Sequence, residues 1–468
     1  MFGLEGTLLI LLVVCLVAVF AFEFINGFHD TANAVATVIY TNSLKPMHAV
    51  ILSGTFNFIG VMTGGIGVAM GILEILNMNI LFEQQTMHSI AMVLALLLTA
   101  IIWNLGTWYY GIPCSSSHTL IGSIVGVGLM YCLLQPGDLD FSAIKWKKVT
   151  DIGLSLLISP VMGFALTVLV MFIIKKVIKQ KKVFQEPEAA EPPPIGIRAT
   201  LIGTCTAVSY AHGSNDGQKG LGLVMMLLIA IAPNYFTLNP NLSLSELNSK
   251  LITIDQIVTG LDKQQLNHDT SSIQKIHTNI VEIQEKIIAV NSFPQDSKIK
   301  YTIRKDIVTI KKEIKHLEEV DTPLTRLEIA KNENLQQNIK SISEYVEYAP
   351  NWALLLISVA LGIGTMVGWK RIVVTIGEKI GKQHLSYAQG ASAELVAATT
   401  ILIASATKLP VSTTQVLSSG IAGAMVAQRG IKNLQAKTIK SMALAWVLTL
   451  PVTIIMSGFL FWLLRIIL

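Results

Sequence analysis

A pair of polar motifs occurs twice in this chain, in the same order and each time inside apolar sequence. The first motif is Gly-x-[His/Asn]-Asp, at Gly27–Asp30 and Gly213–Asp216. The second is a proline followed by hydroxyl residues, at Pro113–His118 and Pro410–Gln415. Charged and amide side chains at membrane depth are expensive, so their presence indicates a function. A duplication of this kind is typical of a transporter built from internal repeats.

The composition indicates an all-α integral membrane protein. Hydrophobic residues make up 52% of the 468 residues and charged residues only 14%, which a soluble domain does not need. Nine apolar runs are long enough to cross a bilayer, and we predict nine to twelve crossings and hairpins. The first run has no basic residue before it and no small-residue cleavage site after it, so we expect it to be retained.

The cysteines and the net charge exclude other classes of protein. The four cysteines have no metal-ligand spacing, and we interpret them as small core residues. The net charge of +5 reflects lysines in loops rather than a surface that binds nucleic acid. No cofactor is predicted, and the sequence leaves any metal ligands unknown.

The distances between the motif copies locate an insertion. The first motif recurs after 186 residues and the second after 297, so the second half carries about 111 additional residues. Segment 235–348 is polar and rich in Lys, Glu and Gln, and its Ile and Leu residues recur at coiled-coil spacing. We therefore predict an extramembrane helical bundle here. A regulatory or partner-binding module is the alternative.

These features divide the chain into five segments. We predict a first membrane repeat at 1–174, a cytoplasmic linker at 175–196, the start of the second repeat at 197–234, the insertion at 235–348 and the rest of the second repeat at 349–468. The lysines at the start of the linker place it in the cytoplasm by the positive-inside rule. The insertion lies one crossing away and is therefore expected on the external face.

The first motif predicts broken helices. It lies within apolar stretches 8–40 and 198–233, and a straight helix of either length would exceed the roughly 30 Å hydrocarbon core. A glycine beside polar residues suggests a break that lines a polar cavity. The two carboxylates, Asp30 and Asp216, cannot bind an anion directly and fit a coupling cation or proton. A structural ion pair between Asp216 and Lys219 is the alternative.

The second motif predicts helix N-termini at the tips of two re-entrant hairpins. Proline and N-capping hydroxyls begin helices, and helix N-termini attract anions. The anion-binding residues are predicted to be Ser115, Ser116, Ser117, Ser412, Thr413 and Thr414, together with the amides Asn33 and Gln218. Beside the two aspartates, the coupling group includes His29, Asn215, Glu23 and Glu394. For Glu23 and Glu394, a purely structural pairing is equally open.

An intramembrane hydrolase is the rival from another class of protein. Ser115–Ser117, His118 and Asp30 have the residue types of a catalytic triad. The second copy of the motif replaces His118 with Gln415 and most of the serines with threonines. A triad needs no such degenerate copy, whereas a shared substrate site does. We therefore predict that the chain is not an enzyme.

At these residues the chain resembles the PiT family of inorganic phosphate transporters, and its bacterial low-affinity branch in particular. The matching motifs are Gly27–Ala34, Gly213–Gly217, Pro113–His118 and Pro410–Gln415. The resemblance covers both membrane halves but not the bundle. It implies an inverted-repeat fold, a homodimer in the bacterial inner membrane, and phosphate as substrate.

The resemblance also implies coupling to protons and acceptance of neutral complexes of phosphate with a divalent cation such as Mg²⁺. Family members often carry Asn beside the first aspartate, where this chain has His29. A titratable histidine suits a proton better than sodium. A sodium-coupled symporter of phosphate or sulfate is the alternative function.

Overall fold

The computed structural model describes residues 4, 6–78, 80–81, 84–137, 139–187, 191–260, 270–290, 296–320 and 332–468, without the side chains of 31–33, 270, 289–290 and 319–320. Within these residues the regular secondary structure is helical, and only two isolated β-bridges are present. The predicted all-α class is confirmed. The chain divides into two compact units, one built on Leu228–Tyr348 and the other on Thr7–Leu227 with Ala349–Leu468.

Among the described residues, seven α-helices of four or more residues precede the insertion. They are α1 (Gly6–Tyr40), α2 (Pro46–Thr63), α3 (Gly67–Leu73), α4 (Thr86–Tyr109), α5 (Ser116–Leu133), α6 (Trp146–Val177) and α7 (Ile195–Ile231). The four cysteines are buried, as predicted for core residues.

The unit built on Leu228–Tyr348 is a small helical bundle. Its helices are α8 (Pro233–Phe236), α9 (Leu244–Gly260), α10 (Thr270–Val290), α11 (Ser297–Val320) and α12 (Glu333–Ser343). The apolar residues at coiled-coil spacing form one core, which includes Leu251, Ile280 and Ile310 at 1% exposure or less. The predicted burial of these seams is confirmed, because each helix turns its Ile and Leu stripe toward the others.

The remaining helices return to the larger unit. They are α13 (Asn351–Met366), α14 (Lys370–Val374), α15 (Tyr387–Ala406), α16 (Thr413–Arg429) and α17 (Ala436–Ile467), and a π-helical turn, Thr375–Lys379, follows α14. Helix α5 packs against α17, and α16 packs against α6. Each helix that begins at a hydroxyl motif therefore packs against the last helix of the other half of the chain.

Five of the described helices, namely α1, α4, α5, α6 and α17, are long and apolar enough to cross a membrane. Two bent pairs raise the number to seven, α2 with α3 at 72° and α13 with Lys370–Lys379 at 54°. This is fewer than the nine to twelve crossings and hairpins expected from apolar runs. Helix α7 is not among these helices. Its 37 residues include His212, Asp216 and Lys219, which lower its mean hydropathy.

The predicted position of the helix breaks is wrong. Helix α1 continues through Gly27–Asp30 and α7 continues through Gly213–Asp216, and the described bends lie instead at 64–66 and 367–369. The motif glycines serve helix packing. A Cβ on Gly27 would lie 2.5 Å from the Leu361 carbonyl oxygen of α13, and one on Gly213 would lie 2.2 Å from that of Asn57 on α2. Such small residues let helix backbones approach closely in membranes.

Candidate functional site

Four segments of the sequence meet in one buried polar network. Two are helix interiors, Asp30 on α1 and Asp216 on α7. The other two are helix N-termini, since α5 begins after Ser115 and α16 after Ser412. Each of these serines accepts a hydrogen bond from the backbone N–H three residues later. The helix N-termini predicted at both hydroxyl motifs are therefore confirmed, with serine as the N-cap.

Asp30 is surrounded by hydroxyls and imidazoles. Ser116 Oγ donates to Asp30 Oδ2 at 3.0 Å, and the Thr414 hydroxyl donates to Oδ1. His29 Nδ1 lies 3.2 Å from Oδ1, and His212 Nε2 lies 3.8 Å from Oδ2. The carboxylate is only 2% exposed. Its described partners are therefore neutral or titratable, and none carries a permanent charge.

Asp216 is paired with a cation. Lys219 Nζ lies 2.6 Å from Asp216 Oδ2, and both side chains are buried. His212 Nε2 lies 3.3 Å from the same oxygen, and Thr413 Oγ1 donates to it at 3.5 Å. Lys219 also donates to Ser116 Oγ at 3.2 Å. The ion pair considered from the sequence is thus present, and it belongs to the network.

The contacts cross between the two halves of the chain. Ser116, from the first half, bonds both Asp30 of its own half and Lys219 of the second. Thr414, from the second half, bonds Asp30 of the first. The two hydroxyl segments that begin α5 and α16, Pro113–Ser117 and Pro410–Thr414, are called the hydroxyl tips below. They also touch, because Ser117 Oγ donates to the Val411 carbonyl at 2.7 Å. Neither half holds the complete network by itself.

The residues before the two aspartates have equivalent structural roles. His29 Nε2 lies 3.2 Å from Thr107 Oγ1 on α4, the helix that leads to the first tip. Asn215 Nδ2 donates at 3.1 Å to Ser405 Oγ on α15, the helix that leads to the second tip. Each motif therefore ties its carboxylate-bearing helix to the segment that carries its own hydroxyls.

His212 lies between the two carboxylates, beside a narrow cavity that Asp30 and Thr413 also line. Its Nδ1 lies 3.0 Å from Asn57 Oδ1, and Asn57 Nδ2 donates to Thr365 Oγ1 at 2.9 Å. The amide is thus oriented with its oxygen toward the ring. This leaves His212 Nε2 facing the two carboxylates, where it can hold a proton between them.

Of the two amides predicted at the anion site, Gln218 lies elsewhere in the structure, and the side chain of Asn33 is not described. Gln218 Nε2 donates to the Gly64 carbonyl at 2.9 Å, and its Oε1 accepts from Val68 N at 2.7 Å. These bonds join α7 to the bend between α2 and α3, so the structure does not place Gln218 with the hydroxyl tips. The side chain of Asn33 lies outside the described part of the structure.

The two buried glutamates lie beside the network rather than in it. Glu23 accepts a 3.4 Å hydrogen bond from Asn26 and packs against Gly220, one turn after Asp216. Glu394 accepts from the hydroxyls of Thr37 on α1 and Thr204 on α7. Both are fully buried. The structure brings neither into contact with the hydroxyl tips.

His212 and Lys219 were missed as members of the site. An α-helix turns 100° per residue, so positions 212, 216 and 219 share one face. The same arithmetic places Gln218 about 200° from Asp216, on the opposite face. This signal was available in the sequence. A helix break at Gly213, as expected from the sequence, would interrupt the helical periodicity between residues 212 and 216. The shared face was therefore not predicted.

The arrangement does not support the rival hydrolase. His118 Nδ1 lies 2.8 Å from Ser115 Oγ, as a nucleophile and base would. The described contacts of Asp30 are with Ser116, Thr414, His29 and His212, and not with the His118 ring. A triad needs its carboxylate on the imidazole. The side chains instead fit ion binding, since one atom each from Asp30, His212 and Asp216 lies within 4.8 Å of the others.

Known proteins of similar sequence are phosphate transporters. The sequence model of the phosphate transporter family matches residues 26–457. A low-affinity inorganic phosphate transporter of Buchnera aphidicola subsp. Acyrthosiphon pisum (strain APS) is 41% identical, over 97% of this chain and 96% of its own. The low-affinity inorganic phosphate transporter PitA of Escherichia coli (strain K12) is 39% identical, over 98% of each chain.

One solved structure is similar over nearly the whole chain. It is that of a sodium-dependent phosphate transporter, with a TM-score of 0.57 and 19% identity, covering 98% of this chain and 100% of its own. At that identity the similarity concerns the fold alone. Family and relatives together indicate a multi-pass transporter rather than an enzyme.

Proposed function

The chain belongs to the phosphate transporter family, and we propose that it is a secondary symporter that carries inorganic phosphate on a proton gradient. The main support for this proposal is the polar network at Asp30, to which both halves of the chain contribute. There the hydroxyls of both tips meet one buried carboxylate whose other described partners are imidazoles.

Phosphate is proposed to bind between the two helix N-termini. The first turns of α5 and α16 present backbone N–H groups, the positive ends of two helix dipoles, and the hydroxyls of Ser115–Ser117 and Ser412–Thr414. Lys219 adds a positive charge through its contact with Ser116. Phosphate would compete with the carboxylates for these donors. Substrate binding is therefore linked to neutralisation of the carboxylates.

Protons are proposed as the coupling ion because of the residues around Asp30. A carboxylate between His29 and His212 can exchange a proton with either ring. Protonation of Asp30 would release the Ser116 and Thr414 hydroxyls for phosphate. Asp216 would stay paired with Lys219. Asn215 supports the second hydroxyl tip, and Glu23 and Glu394 are proposed as further buried acids of the coupling group.

A complex of phosphate with a divalent cation is a second form of the substrate. Asp30, His212 and Asp216 offer two carboxylate oxygens and one imidazole nitrogen within 4.8 Å. Carboxylate oxygens suit Mg²⁺, and the added nitrogen suits transition metals. The cation would travel as cargo, and it would offset the charge of the phosphate in a site with little water.

We further propose a homodimer in the bacterial inner membrane, with two re-entrant hairpins in inverted repeats and the 235–348 bundle on the periplasmic side. The relatives support the bacterial membrane. The position of lysines at the start of the 175–196 linker supports the orientation. Sodium coupling and sulfate transport are the alternatives.

Uptake of labelled phosphate into proteoliposomes tests the proposal. An inward proton gradient should drive accumulation, and a sodium gradient at constant pH should not. Added Mg²⁺ should raise uptake if the complex is carried, and sulfate in excess should compete weakly. Uptake driven by sodium alone would show that the coupling ion is sodium and not the proton. Accumulation without any ion gradient would overturn symport.

A further inference from the structure

A second pocket, lined by aromatic and basic side chains, lies at the ends of two helices that could cross a membrane. Its Trp108 ring centre lies 4.9 Å from that of Phe28, the residue before His29. The pocket encloses about 640 Å³ between the end of α4 and the bend that joins α13 to α14. Its aromatic lining comes from Trp108, Tyr109, Tyr110 and Trp369. Its basic lining comes from Lys370, Arg371 and Lys379, and no acidic side chain is among the described lining residues.

The guanidinium of Arg371 is held in place before any ligand arrives. Its carbon lies 5.0 Å from the ring centre of Trp108 and 4.8 Å from that of Tyr109. One of its nitrogens donates to the Tyr109 carbonyl. The Trp108 ring is itself fixed, because its Nε1 donates to the Gly368 carbonyl at 2.9 Å. A stacked arginine keeps further N–H groups for a phosphate oxygen.

The position of this pocket is typical of a membrane–water interface. Tyr109 and Tyr110 are 61% and 77% exposed at the end of α4. Ile102 on α4, seven residues before Tyr109, and Ile363 on α13, seven before Lys370, are each 50% exposed, so each helix carries exposed apolar surface about two turns from the pocket. Exposed tyrosine and tryptophan rings collect at the headgroup level, and the apolar surface beneath them faces acyl chains.

We propose that this pocket binds the phosphate headgroup of an anionic phospholipid. Three basic side chains without an acidic neighbour in the lining match an anion, and basic pockets between membrane helices bind such headgroups. The exposed apolar surface beside the pocket distinguishes a lipid from free phosphate. Acyl chains would cover it, whereas an inorganic anion would gain nothing from it. Its lining residues are distinct from those proposed to bind the transported phosphate and the coupling ion.

Native mass spectrometry of the whole protein tests this proposal. The protein is mixed with equal amounts of phosphatidylglycerol and phosphatidylcholine, and the retained lipids are counted. The wild type should retain phosphatidylglycerol selectively. Lys370→Gln with Lys379→Gln should weaken that binding about 30-fold, because each basic side chain near an anionic surface strengthens binding roughly five-fold. Arg371 and its stacking contacts remain in this variant.

The matched control changes two exposed lysines at the end of α6, Lys176→Gln with Lys179→Gln, and should keep the selectivity of the wild type. Equal retention of both lipids by the wild type would overturn the proposal. So would a pocket variant that retains phosphatidylglycerol normally. Displacement of the lipid by millimolar inorganic phosphate would assign the pocket to a free anion. None of these measurements depends on transport.

Discussion

Asp30 and Asp216 occupy equivalent positions in a duplicated motif, yet their surroundings differ in charge. Asp216 lies 2.6 Å from the ammonium of Lys219, whereas the described partners of Asp30 are hydroxyls and imidazoles. The sequence explains the difference. At the position equivalent to Lys219, 186 residues earlier, the first half carries Asn33.

The two copies of the motif share the contacts that hold the aspartate-bearing helix, but they differ in the charge of the groups around the aspartate. In both halves the residue before the aspartate ties its helix to a tip, His29 through Thr107 and Asn215 through Ser405. Among the described contacts, only the second carboxylate lies against a lysine. In the proposed mechanism the first carboxylate depends on a proton or on a cation that arrives with the substrate, so Asp30 is the proposed place for coupling.

The largest effect is expected from Asp30→Asn. A neutral amide can neither take up a proton nor hold a cation, so gradient-driven phosphate uptake should fall to background. Uptake by proteoliposomes measures this, with Asp140→Asn in an exposed loop as the control for loss of one carboxylate. A rate above about half of the wild-type rate would rule out a coupling role, since a lost coupling charge has a far larger effect.

Asp216→Asn should abolish uptake too, and it should also destabilise the protein. It leaves Lys219 buried without its carboxylate, which costs about 3–5 kcal/mol of unfolding free energy. Asp30→Asn should cost less, about 1–2 kcal/mol, because hydroxyls can also donate to an amide oxygen. Denaturation in mixed micelles measures both values.

A double variant separates the two effects at Asp216. Asp216→Asn with Lys219→Met removes the unpaired charge and should recover most of the lost stability without restoring uptake. Recovery of uptake in this variant would show that Asp216 serves structure alone. Equal stability of Asp30→Asn and Asp216→Asn would contradict the difference in charge environment described above.

His29→Asn makes the first motif resemble the second. The asparagine can still reach Thr107, but it cannot titrate, so stimulation of uptake by a pH gradient should fall about five-fold. Uptake is measured across a series of imposed gradients. His48→Asn removes an exposed histidine outside the network; it is the control and should leave the pH response unchanged. An unaltered response in His29→Asn would make this histidine a structural residue only.

Alanine substitutions at the six tip hydroxyls should weaken phosphate binding while the fold persists. Loss of a hydrogen bond to a charged ligand, at Ser116 or Thr414, should weaken binding about ten-fold. Loss of the caps at Ser115 or Ser412 should in addition cost about 1 kcal/mol of stability. Isothermal titration and thermal unfolding measure the two quantities. If all six variants bind phosphate normally, the anion lies elsewhere.

The smallest effect is expected from removal of the bundle. Replacing 238–346 with a Gly/Ser linker should leave coupled uptake near the wild-type rate, because both carboxylates and both tips lie in the other unit. A deletion variant that is stable and inserted but inactive would show that the bundle takes part in the cycle. Separately, a cysteine at Ser297 should react with an external thiol reagent, and labelling from the cytoplasm alone would reverse the proposed orientation.

Much of the fold and the site followed from the sequence because the signals are local. A serine before a helix is a cap wherever the helix lies, so Ser115 and Ser412 could be identified. Regularly spaced Ile and Leu residues on a helix are buried in any helical bundle, so Ile280 and Ile310 could be placed in a core. Recurrence identified the motif that carries Asp30.

The remaining features of the fold and the site depend on contacts between residues that are far apart in the sequence, and local patterns do not predict such contacts. Gly27 and Gly213 look like helix breakers until α13 and α2 are seen lying against them. Gln218 looks like a ligand until its partners at the α2–α3 bend are known. Lys219 was recognised as a possible partner of Asp216, but its second contact, to Ser116 of the other half, is a long-range feature.

The bond between Thr414 and Asp30 joins residues 384 positions apart. A ribosome that adds roughly 5–20 residues per second needs about 20–80 s to make that stretch. During this interval the nascent chain holds Asp30 in an apolar segment without the hydroxyl that will later bond it. An ionised carboxylate in hydrocarbon is expensive. We therefore expect α1 to enter the bilayer with Asp30 protonated or in contact with translocon water, and the site to assemble only as synthesis ends.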